Sequence, residues 1–219
     1  MMTYKAVFFG AIGTIADTSD MQRRAFNDAF AHAGLDWNWT PEMYRPMLAT
    51  VGGVARISQF AARAGIDVDV AALHAEKSRI YQHMLRREGV ALRPGVAALI
   101  AHTRDTGGTL AWVTTTARAN IDAIIDASGD ALSADMFDLI TDRAMVSAAK
   151  PDPEVYYTAL THLGLSETDV LVIEDTPESA WAAHSAGLSV VAFKGAAPPD
   201  TPWPETRVQT NDLADLLAR

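Results

Sequence analysis

The sequence contains no cysteine, which excludes disulfides, zinc-thiolate centres and thiol catalysis. No apolar run reaches the roughly 18 residues of a membrane span, and no basic-then-apolar signal opens the chain. A soluble, cytoplasmic protein with no membrane partner is therefore expected. Positive charge is scarce as well: 18 Lys and Arg stand against 27 Asp and Glu, a formal net charge of −9. Such a balance argues against nucleic acid or an anionic lipid surface as the main partner. Internal repeats and low-complexity tracts are also missing.

The chain does carry the material of a sizeable core. It has 219 residues, 49% of them hydrophobic, enough to bury a core without staples. Short runs rich in β-branched and aromatic residues read as buried strands at Tyr4 to Phe9, Thr109 to Val113, Phe137 to Ile140, Val170 to Ile173 and Leu188 to Phe193. Helical patterns lie between them. Pro94 to Thr106 opens with proline and closes at Gly107-Gly108, while Arg118 to Ala127 and Glu154 to Leu163 space their apolar residues by three and four. Pro177 to Ala186 ends at Gly187, a suitable cap. Strands alternating with helices predict an α/β fold, a Rossmann-like parallel sheet with helices on both faces.

One region breaks the alternation. From Thr18 to about Gly89 the pattern is helical only, with Met21 to Ala33, Glu42 to Leu48, Ala55 to Ala64 and Val70 to Arg87 punctuated by Gly34, Pro41, Gly52-Gly53 and Gly65. Residues 1–16 and 90–219 are thus expected to form the core, and 17–89 an inserted helical cap. A Pro-rich loop, Gly195 to Glu205, precedes a last short strand and helix.

In an open parallel sheet, ligands bind at the carboxyl ends of the strands. Four such places carry informative residues: Gly10-Ala11-Ile12-Gly13-Thr14, Thr114-Thr115-Thr116, a loop with Lys150, and Glu174-Asp175-Thr176-Pro177. Hydroxyls and turn amides can bond phosphate oxygens, and a lysine adds positive charge. An acidic pair can hold a hard cation such as Mg2+. Taken singly, each has a plainer reading: a threonine run is commonly a helix N-cap, KPDP a turn, and EDTP a helix start. Their order after successive strands is the stronger signal. Asp17 reads as structural. The six histidines, on helix-like segments without ligand spacing, read as surface or packing residues. Trp37 and Trp39 read as cap core.

The stretches QRRAFNDAF, VGGVAR, LAWVTTTARANI, KPDPEVYYTAL and VIEDTPESAWAAHSAGL stand in an order that resembles the haloacid dehalogenase superfamily, in the branch of phosphoglycolate phosphatase, β-phosphoglucomutase and sugar-bisphosphate phosphatases. The resemblance implies a catalytic role for Thr114, which would hold the transferring phosphoryl group, and for Lys150, which would neutralise it. It implies substrate binding by Thr115 and by a cap loop with Gly52, Gly53 and Arg56. It implies a Mg2+ site from Glu174, Asp175 and the backbone carbonyl of Ile12. The family motif on strand one is Asp-x-Asp-Gly-Thr, and here its two carboxylate positions hold Gly10 and Ile12. Glycine cannot attack phosphorus and isoleucine cannot carry a proton.

The expectation is a hydrolase-like scaffold that binds a phosphorylated small molecule or phosphate but is inactive or impaired as a phosphatase. The alternative is a phosphate-monoester hydrolase using a Mg-activated water. With two carboxylates gone, Mg2+ binding is expected to be weak. Anion binding should need the metal less, since each removed charge about 5 Å away is worth up to about 3 kcal/mol at an effective dielectric of about 20.

Overall fold

The computed structural model describes residues 4–10, 12–48, 52–195 and 202–218. Six strands form one all-parallel sheet: β1 (Ala6–Phe9), β2 (Thr109–Trp112), β3 (Leu139–Ile140), β4 (Val170–Glu174), β5 (Ser189–Phe193) and β6 (Val208–Thr210). Their spatial order is β3-β2-β1-β4-β5-β6. The order reverses direction at β1, between β2 and β4, where such sheets open a crevice for ligands.

Each strand feeds two cores through the alternation of its side chains. Val7, Phe9, Leu110, Trp112, Leu171 and Ile173 enter one apolar cluster. Their neighbours Ala6, Phe8, Ala111, Val113, Val170 and Val172 enter a second on the opposite face. Strands buried on both faces read as continuous hydrophobic runs, which is why they were visible in the sequence.

The helices are α1 (Ile12–Ile15), α2 (Ser19–His32), α3 (Pro41–Met47), α4 (Gly53–Ala64), α5 (Val70–Glu88), α6 (Val96–Asp105), α7 (Arg118–Ala127), α8 (Glu154–Leu163) and α9 (Pro177–Ser185). Among the described residues, the stretch from 17 to 89 holds helices α2 to α5 and no strand. Its own cluster is Phe26, Phe30, Trp39, Tyr44, Ile57 and Leu73. Met21, Ala25, Ile80, Tyr81, Met84 and Leu85, by contrast, join the cluster on one face of the sheet. Helices α2 and α5 therefore bridge the two cores. The middle of the Pro-rich loop lies outside the described residues.

Trp39 is fully buried, with its ring centre 4.8 Å from those of Phe26 and Phe30. The expected core role of Trp39 agrees with this packing, and Trp37 packs partly buried against the same cluster. The Trp39 indole N–H has no hydrogen-bond partner, a cost to the fold. Trp39→Phe keeps a ring in place and removes that donor. It should cost no more than about 1 kcal/mol by urea unfolding, well below the usual penalty for truncating a buried aromatic.

Candidate active site

β1 and β4 are neighbours in register, with Phe9 opposite Ile173. The next residues along, Gly10 and Glu174, therefore lie side by side at the carboxyl end of the sheet. The Gly10 N–H donates to the Ile173 carbonyl at 2.9 Å. Ile12–Ile15 form α1, a single helical turn that the sequence did not announce. There the Ile12 carbonyl accepts the Ala16 N–H at 3.0 Å, and the Ile12 side chain is buried in the core. That bond takes one of the two lone pairs of the carbonyl expected to serve as a metal ligand.

Lys150 and Glu174 form a fully enclosed ion pair at 2.6 Å. The Lys150 ammonium also donates to the Val113 carbonyl and the Tyr156 hydroxyl, both at 2.9 Å. Tyr156 donates to the same Glu174 oxygen, Oε1. Burial first, and then the Glu174 charge, pushes the Tyr156 hydroxyl well above its usual range. Asp175 is buried, and its Oδ1 has no hydrogen-bond partner. Burial, with Glu174 second, pushes its carboxyl up to about 7.

Thr114 is buried. Its N–H donates to Thr141 Oγ1 at 2.9 Å, and the Thr141 hydroxyl returns a bond to the Thr114 carbonyl at 2.8 Å. The Thr114 hydroxyl donates to Thr116 Oγ1 and accepts the Thr116 N–H. The threonine run does not supply the N-cap of α7, because Ala117 takes that position without a side-chain bond. Thr115 is half-buried beside it. The acidic loop does start a helix: Thr176 caps α9 by accepting the Ser179 N–H.

Gly52 has a φ of 91°, a conformation that favours glycine, and precedes α4. Gly53 lies against His74, whose ring fills the space a Cβ would need. Arg56 donates to the Met47 carbonyl at 2.9 Å and to the Tyr44 hydroxyl at 3.1 Å. Asp17 accepts the Ser19 N–H at 3.0 Å, the structural role expected of it. A cavity of about 580 Å³ between α2 and α5, lined by His32, Asp67 and Glu76 among others, shares no residue with the strand ends.

Sequence reasoning missed three residues. Tyr156 was absorbed into the α8 periodicity, and Thr141 follows a strand too short to draw notice. Arg93 donates to the carbonyls of Gly13 (2.7 Å), Phe193 (3.1 Å) and Lys194 (2.6 Å), with its guanidinium 3.5 Å above the Phe193 ring. Position gave the usable signal for Thr141, since it too lies at the carboxyl end of a strand.

Mg2+ was tested against this donor set. Asp175 Oδ1 suits it, being buried and unpartnered. Glu174 Oε1 already accepts from Lys150 and Tyr156, and the Ile12 carbonyl accepts one helical N–H. Among the described residues no group of three acidic or histidine side chains could hold an ion. Mg2+ takes about six oxygens, usually one or two carboxylates with the rest from water and substrate phosphate, and Asp175 Oδ1 is the donor here that no other group engages.

A family model described as "Haloacid dehalogenase-like hydrolase" matches residues 12–193. Protein CbbY of Rhodobacter capsulatus is 40% identical over 193 residues, covering 87% of this chain and 85% of that protein. The crystal structure of CbbY from Rhodobacter sphaeroides in complex with phosphate superposes with a TM-score of 0.90 at 33% identity, covering 97% and 96% of the two chains. A mutant of the same protein, in complex with xylulose-(1,5)bisphosphate, superposes equally well. Hexitol phosphatase A of Escherichia coli is 27% identical over 201 residues, covering 92% and 87%.

Proposed function

The chain belongs to the haloacid dehalogenase-like hydrolases, and from that premise we propose that it binds a phosphorylated small molecule without performing the family's covalent phosphoryl transfer. The observation that carries this reading is the occupancy of the strand-one site. Gly10 and Ile12 stand at its two carboxylate positions, and the remaining acidic group beside them, Glu174, is bound to Lys150 and Tyr156.

Thr115 would receive the phosphate by hydroxyl and amide bonds and Lys150 by charge, while Thr114, whose N–H and hydroxyl donate to Thr141 and Thr116, would turn its hydroxyl from Thr116 to the phosphate. Glu174 and Asp175 then act as the negative wall that limits affinity. Residues 17–89 would act as a cap over this site, with Gly52, Gly53 and Arg56 facing the far end of the ligand. The CbbY mutant structure carries a sugar bisphosphate, and a bisphosphate also suits the cations of this helical segment. Burial first, and then the Arg56 charge, pushes Lys77 down to about 7. His74 is held down by burial first, then by Lys77 and Arg56. Like charges crowded in this way are relieved by an anion.

Calorimetric titration with inorganic phosphate and with xylulose-1,5-bisphosphate, each with and without Mg2+, tests the reading. Binding that is insensitive to Mg2+, together with no phosphate release from a panel of monoesters, is the expected result. Mg2+-dependent turnover that vanishes in Asp175→Ala would overturn it in favour of a metal-activated water. Arg56→Ala should weaken the bisphosphate about tenfold, the loss of one charge-assisted contact, and leave monophosphate affinity unchanged.

A further inference from the structure

We propose that Glu174 has moved into the place of the missing strand-one carboxylate, so that Gly10 and Glu174 form one coupled unit and Lys150 keeps a built-in counter-ion without metal. Three observations carry this. First, the backbone at Gly10 does not need glycine: its φ is not positive, unlike that of nine other glycines in the chain. Second, a Cβ at Gly10 would lie under 3.0 Å from Glu174 Cδ and from both of its carboxylate oxygens. The acidic group of residue 174 therefore fills the volume that a side chain on residue 10 would enter. Third, that group is locked there, enclosed with Lys150 at 2.6 Å and bonded to Tyr156.

Gly13 offers a contrast. A Cβ there would meet Asp175 Oδ2, but Gly13 is the glycine of the family motif, so that close approach comes with the motif. The approach at Gly10 does not. It exists because the carboxylate of strand one is gone and the neighbouring strand has supplied another. A buried lysine left unpaired is costly, and one carboxylate from either strand satisfies it.

The inference concerns the ligand-free protein, so it can fail while the phosphate reading stands, and the reverse. Its test is a set of thermal melts without ligand. Gly10→Ala should lower the melting temperature on the order of 10 °C, a large shift for a chain of this length, because even a methyl group strikes the carboxylate. Glu174→Ala should lower it as well, by leaving Lys150 unpaired. Gly10→Ala added to Glu174→Ala should cost nothing further. Gly10→Asp with Glu174→Ala should melt well above Glu174→Ala alone, since the carboxylate is restored from the other strand. Gly10→Ala tolerated in the natural sequence, or costs that add in the double variants, would show that the two positions are independent. The alanine arm decides the matter even if Gly10→Asp with Glu174→Ala does not fold.

Discussion

Lys150→Met will destabilise the protein by about 3–5 kcal/mol, the usual cost of removing one partner from a buried ion pair. It will also remove phosphate binding at the strand ends. Lys150 is 4% exposed, and its ammonium donates to three oxygens, those of Val113, Tyr156 and Glu174. Methionine fills similar volume but leaves the enclosed Glu174 carboxyl without its ammonium partner, with Arg93 the cation still acting on Asp175 beside it. Lys150→Arg should not restore stability, because a planar fork does not fit a pocket shaped for a compact ammonium. Urea unfolding reads the first effect and calorimetry with phosphate the second. A loss below about 1 kcal/mol would mean that the pair is not the counter-charge system described above.

The second large effect is a pH dependence set by Lys77. This side chain on α5 is buried, donates to Gln22 Oε1 at 3.0 Å, and lies 4.7 Å from the Phe26 ring and 4.8 Å from the Tyr81 ring. Among the described residues no carboxylate pairs with it. Burial, with Arg56 second, pushes it down to about 7 from an ordinary value of 10.5. Below pH 7 it is protonated in both folded and unfolded chains, and the cost of burying the charge is carried in full. Between pH 7 and 10.5 the unfolded chain holds the proton and the folded one does not, so stability rises with pH. The rise attributable to this group is up to about 5 kcal/mol. Lys77→Met should be more stable than the natural protein at pH 6, and the two should converge near pH 10. Parallel curves across this range would remove Lys77 as the cause.

The elements were legible in the sequence to within a few residues because burial on both faces makes strands uniformly apolar, and because glycine and proline mark the ends. Arg118–Ala127 and Glu154–Leu163 were read at their observed bounds. The candidate site was legible only as an inventory. Thr114, Lys150, Glu174 and Asp175 could be ordered along the chain, but which oxygen each ammonium proton meets is a matter of packing. Tyr156 shows why: six residues after Lys150, it satisfies the helical spacing of a core residue and also bonds the ion pair. Sequence shows a glycine at position 10 but not that the Glu174 carboxyl lies against it. An empty position leaves a mark in a motif, whereas the rotamer of a neighbour leaves none. The one-turn helix α1 escaped for a related reason, since four residues are too few to display a period.

The two covalent links between the helical segment and the sheet differ mechanically. The outgoing link, Ala16 to Thr18, is held through hydroxyls: Thr18 accepts from Tyr81 at 2.9 Å and from Gln22 at 3.2 Å, and both of those belong to the helical segment. The returning link ends at Arg93, whose N–H donates to the Ile15 carbonyl at 2.8 Å while its guanidinium grips the Gly13, Phe193 and Lys194 carbonyls. One tether travels with the helices and the other is riveted to the sheet. Ile80, Tyr81, Met84 and Leu85 of α5 are packed into the sheet's cluster, so any swing of the helices must pivot where α5 leaves that cluster, and the lever arm is the half of α5 that precedes Ile80. A small rotation there is magnified along the roughly 15 Å from Ile80 to Val70, the distant end of the helix.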